Sequence, residues 1–172
     1  MKKRFLFSPA AVILAVLSVL LTGCQKNGAL SDPFYIFSGD FSAVLSVEIS
    51  GNRSDCGFEK QGNGAKITLT EPSVLSGFTF TVNDEKITLK TGETEIEADG
   101  KISLLPRLLF SVFSSSKENI TEIKTEKTDS YTVTLIKTET VSYRFGADGS
   151  PLSAEGVFDS MSFKIIFKNI IS

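Results

Sequence analysis

The chain of 172 residues contains no histidine and no tryptophan. It has two cysteines, Cys24 and Cys56, and three tyrosines. Without histidine there is no Ser-His-Asp or Cys-His pair and no ordinary histidine-ligated zinc site. The side chain that carries most proton transfer near neutral pH is also missing. The expectation is a non-catalytic protein with no metal and no cofactor. Beyond the first four residues basic side chains form no cluster, which argues against nucleic acid as a partner. If Cys24 is modified, Cys56 has no partner for a disulfide. Cys56 then reads as a small half-buried hydrophobe, and Arg53 is a thin basis for activating its thiol.

What is present begins with a processed front end. Lys2, Lys3 and Arg4 precede an apolar run from Phe5 to Leu21, broken by Ser8, Pro9 and Ser18. Leu21-Thr22-Gly23-Cys24 follows, and then the polar Gln25, Lys26 and Asn27. A charged head, an apolar core and small exit residues make a secretory signal. The last four residues look like the bacterial lipobox, whose Cys thiol takes the diacylglycerol. The predicted division is a lipoprotein signal peptide at 1–23, a tether at 24–31 and one domain at 32–172. Cys24 would carry the lipid, palmitate in class, and fix the protein to the outer face of the cell membrane. A single-pass membrane helix is the alternative, since roughly 17 apolar residues approach the spanning minimum. The chain from Cys24 onward keeps all 20 acidic and 15 of the 18 basic residues, a net charge of −5. Such a balance gives no electrostatic pull toward anionic surfaces.

Ser31-Asp32-Pro33 resembles a helix start, so a short N-terminal helix is expected over 33–39. Period-two alternation then dominates. Phe41, Ala43, Leu45, Val47 and Ile49 share a face, and so do Phe78, Phe80 and Val82. The pattern recurs at Ile67 and Leu69, at Ile87 and Leu89, and at Tyr131, Val133 and Leu135. It closes with Val141, Tyr143 and Phe145, then Met161, Phe163, Ile165 and Phe167. Opposite positions are rich in Thr, Lys and Glu. Pairs such as Asn63-Gly64, Asp99-Gly100 and Asp148-Gly149 mark tight turns. Short connections imply antiparallel neighbours, about nine to eleven strands in one meander. The row Glu93-Thr94-Glu95-Ile96-Glu97 puts three carboxylates on one face. It could bind Ca²⁺, but it more often protects an edge strand. A transmembrane barrel would need aromatic girdles, which three tyrosines do not supply.

One segment departs from the alternation. Leu105, Leu108, Leu109, Val112 and Phe113 recur at helical spacing, predicting a helix over 105–114 with Pro106 in its first turn. Two short helices must then cover the apolar face of some ten strands. The sheet would curl around them, either leaving an apolar concavity or being plugged by the helix.

The arrangement resembles the LolA/LolB-like half-barrel lipoprotein group. The segments that carry the resemblance are Glu71-Pro72-Ser73-Val74-Leu75-Ser76-Gly77-Phe78-Thr79-Phe80, the apolar helix near 105–114, and the opening strand FSAVLSVEISG. The resemblance implies a mainly β (α+β) fold, a curved antiparallel half-barrel with a lid helix over an apolar cavity. LolA lacks a lipobox, and the protruding leucine loop of LolB has no match here. The functional expectation is a lipid or other apolar ligand held on the concave face. Leu75, Phe78, Phe80, Leu105, Leu109 and Phe113 would line it. The alternative is an envelope lipoprotein whose half-barrel binds a protein partner.

Overall fold

The structure, a computed structural model, describes residues 34–83, 86–114, 119–127 and 131–171. The signal segment, Cys24, the tether and Ser31-Asp32-Pro33 lie outside the described residues.

Helix α1 (Tyr35–Ser38) leads into β1 (Phe41–Ile49), β2 (Asn52–Gln61) and β3 (Gly64–Glu71). A 3-10 turn (Ser73–Leu75) precedes β4 (Thr79–Asn83), β5 (Lys86–Thr91) and β6 (Thr94–Glu97). Helix α2 (Leu104–Phe113) follows, then β7 (Ile120–Lys127), β8 (Thr132–Thr138), β9 (Val141–Gly146), β10 (Pro151–Phe158) and β11 (Met161–Ile171). All eleven strands form one antiparallel sheet, in the order β6-β5-β4-β3-β2-β1-β11-β10-β9-β8-β7. The expected half-barrel of nine to eleven strands, with a short N-terminal helix and one lid-like helix, is the fold found.

The topology corrects one expectation. The strands do not run as a single meander. Two meanders join at the centre, where β1 pairs with β11, Val47 opposite Ile165. The edges, β6 and β7, come from the middle of the chain, and α2 lies between them in sequence.

Alternation places Ala43, Leu45 and Val47 of β1 with Cys56 and Phe58 of β2 and with Ile67 of β3 on the concave face. Tyr143, Phe145, Ala154 and Ile165 continue it on the other half. These residues, with Phe34 before α1, Phe37 within it and Leu108, Leu109, Val112 and Phe113 of α2, form one buried cluster. Among the described residues, the concave face is covered by helix side chains.

Helix α2 begins one residue earlier than expected. Arg107 N–H donates to the Ser103 carbonyl at 3.0 Å, so Pro106 stands in the first turn, where its missing donor costs nothing. The Ser103 hydroxyl bonds back to the Gly100 carbonyl at 2.9 Å. Strand β8 differs from expectation by one residue in register. Thr134 and Ile136 turn inward and are buried, whereas Val133 and Leu135 are only half-buried. The partner strand decides this: Tyr143 lies opposite Ile136 and Phe145 opposite Thr134. A slip of one residue would turn that whole face outward.

Candidate apolar binding site

The concave face is organised around Phe113. Its ring lies 4.6 Å from that of Phe58, 5.3 Å from Phe37, 5.5 Å from Phe41 and 5.7 Å from Phe167. One helix residue thus meets β1, β2, β11 and α1 together. The Tyr143 hydroxyl donates to the Val112 carbonyl at 2.8 Å, within the buried interior. That carbonyl belongs to the last turn, where no intrahelical donor is available. Arg107 reaches Asp159 in the β10–β11 turn at 3.2 Å and lies 5.6 Å over the Phe158 ring. Both of these ties run to the β9–β11 half of the sheet.

The six residues expected to line a ligand fall on this one cluster. Phe80, Leu109 and Phe113 are buried within it. Leu75, Phe78 and Leu105 pack against it and remain half-buried.

An open cleft of about 440 Å³ lies beside the C-terminal end of α2, lined by Lys60, Gly62, Asn63, Phe110 and Ser114. Its size falls within the range of small-molecule sites. The Lys60 amine donates to the Phe37 carbonyl, and Gly62 N–H donates to Asp40 Oδ1 at 2.7 Å, so the β2–β3 turn is tied to α1. The cleft is absent from the sequence reading. Asn63-Gly64 reads only as a turn, and Phe110 is not among the helix residues that spacing singles out.

On the convex side, Lys168 of β11 donates to Asp55 of β2 at 2.6 Å, across the intervening β1. Lys168 and the Ser46 hydroxyl hold the Asp55 carboxyl below its ordinary value, and Arg53, 3.5 Å from Oδ1, adds to this. Lys168 is the extra residue where Val44 faces Asn169 and Leu45 faces Phe167. From this bulge its side chain reaches Asp55. Cys56 is buried, and burial, with the Asp55 charge beside it, pushes its thiol up to about 12. It is therefore inert in the folded chain, not half-exposed. The row of carboxylates lies on an edge strand: Glu95 and Glu97 are exposed on β6, and Glu97 pairs with Lys86 at 3.4 Å. Among the described residues no group of three or more acidic or cysteine side chains could hold a metal ion.

No protein-family model matches the chain, and no curated protein matches it. Solved structures do. An uncharacterized conserved protein from Thermus thermophilus is 7% identical over 86% of this chain and 87% of its own, with a TM-score of 0.51. MucB is 10% identical with a TM-score of 0.51; the alignment covers 85% of this chain but only 59% of MucB. A LolA superfamily protein from Nitrosomonas europaea is 8% identical over 82% of this chain and 92% of its own, with a TM-score of 0.41. At such identities the likeness is one of fold. What is shared is an open curved antiparallel sheet, a half-barrel, with helices on its concave side.

Proposed function

We propose that the protein is a bacterial lipoprotein, anchored through Cys24 at the extracytoplasmic face of the cell membrane, that binds an apolar ligand on its concave face. It acts as a binder and not as a catalyst. The ligand class is an acyl chain. The observation that carries the reading is α2 itself: a helix of ten residues is the main cover of the concave face, and an open cleft lies at its end. A ligand would enter by the cleft and take space that α2 now fills. Lifting Leu108, Leu109, Val112 and Phe113 off the sheet would cost about 8 kcal/mol in lost burial, by area bookkeeping. A chain of about sixteen carbons taken from water would return about 13 kcal/mol, a gain of the same order as that cost. Leu75, Phe78, Phe80, Leu105, Leu109 and Phe113 would then face the ligand.

Native mass spectrometry of the chain from Gln25 to Ser172, purified without detergent, tests this. An adduct of lipid mass, retained or gained on adding fatty acid or phospholipid, supports it. A bare mass under both conditions overturns it.

A second reading, an envelope protein partner, rests on the convex face. Val44 and Ile166 are exposed there, beside a shallow groove of about 160 Å³ over Gly57. Cross-linking in intact cells through that groove would return one stoichiometric partner if this reading holds.

A further inference from the structure

Strand register sets the two rims of the half-barrel. Phe41 lies opposite Lys60, Ser42 opposite Ile171, Phe145 opposite Pro151 and Thr132 opposite Lys127. Helix α1, the β2–β3 and β9–β10 turns and the end of β11 therefore share one rim. The 3-10 turn at Ser73–Leu75 and the β1–β2, β8–β9 and β10–β11 turns share the other.

The first rim exposes large apolar groups of a particular kind. Tyr35 is 76% exposed, Tyr131 59%, Ile171 66% and Leu152 42%. Two of the chain's three tyrosines stand there. The opposite rim exposes Val74 and Val157 and no aromatic. Tyrosine, with an apolar ring and a polar tip, favours the boundary between lipid and water. Charged residues at the first rim include both signs, Asp40 and Asp148 with Lys60 and Lys127, so no single-sign field drives or opposes contact. The chain also enters here. Residue 34 precedes α1, and the ten residues from Cys24 to Pro33 span at most about 35 Å. A short tether keeps this rim at high effective concentration near the bilayer, so a weak contact suffices.

We infer that this rim rests on the bilayer surface, with Tyr35, Tyr131, Leu152 and Ile171 at the lipid boundary. The inference rests on the lipid-anchor reading above and extends it. The cleft lined by Lys60, Gly62, Asn63, Phe110 and Ser114 opens at the same rim. An acyl chain could then pass from membrane to concave face without crossing water.

The absence of tryptophan makes the test clean. Tyr35→Trp, Tyr131→Trp and Val74→Trp are made singly in the full, lipidated chain and reconstituted in phosphatidylcholine vesicles. All three sites are exposed, so folding tolerates them. Brominated phosphatidylcholine should lower emission about twofold for the two tyrosine-site variants and leave the Val74→Trp variant unchanged, as interfacial depth predicts. Aqueous iodide should act in the reverse order, and added salt should change little. Adding Ile171→Asp and Leu152→Asp to the Tyr131→Trp chain should restore iodide access. Equal iodide access at all three sites on vesicles that do carry the chain overturns the inference and leaves the anchor intact. Shielding from iodide without quenching by brominated lipid means a second copy or another protein covers the rim, which also overturns it. A chain that fails to float with the vesicles overturns the anchor reading and this inference together.

Discussion

Gly156 stands where β10 meets β9, and a Cβ there would lie 2.1 Å from the Thr140 carbonyl oxygen. Backbone cannot yield as a flexible side chain can. Gly156→Ala should destabilise by about 2 kcal/mol or more, read as a lowered urea midpoint. Gly57 supplies the control, because nothing lies within 4 Å of its Cβ position. Gly57→Ala should leave the midpoint within about 0.5 kcal/mol of wild type. Cys56 gives a second outcome at this scale. With its thiol pushed up to about 12 and buried, it should resist a disulfide reagent in the folded chain and react at once in urea. Its lack of activation was legible in the sequence, but its complete burial was not. The Ser54-Asp55-Cys56 stretch sets a carboxylate beside the thiol, but burial is a property of the neighbours, Leu45 and Leu69, that pairing brings to it.

At the scale of elements, α2 is tied by two contacts of unequal weight. Tyr143→Phe removes the buried hydrogen bond to the Val112 carbonyl and should cost about 1–3 kcal/mol. Arg107→Ala removes an exposed pair and should cost less than about 1 kcal/mol. Thermal melts of the two variants check the order. The Asp55–Lys168 bridge joins β2 to β11 and depends on pH. The folded-state value of Asp55 lies below its unfolded one. Its contribution is therefore full above the ordinary carboxylate range and is lost as pH falls through the depressed value. Asp55→Asn should flatten stability between neutral pH and pH about 3, measured as urea midpoints across that interval. Helix α2 and the faces of β1, β9 and β11 were legible because each carries an unbroken period. Strand β8 was not. Thr134 is buried on the inner face while Leu135 sits on the outer, and only the register with Tyr143 and Phe145 resolves them.

For the whole molecule, the curved sheet with helices inside could be read from the imbalance between apolar strand face and available helix. Whether the concavity was filled could not. The answer turned on Phe113 meeting Phe37, Phe41, Phe58 and Phe167, residues spread over more than a hundred positions of the chain. The cleft was equally hidden, since its walls come from a turn and a helix end with no shared motif. The pairing of β1 with β11 has a further consequence. As the chain is made, β1 has one flank matched by β2 and the other bare. That flank can be closed only by residues 161–171, the last strand described. Until they arrive, the central seam of the sheet is an exposed edge, open to pairing with the wrong chain. Closure of the sheet thus waits on β11, and without it the halves β6–β1 and β10–β7 stay unjoined.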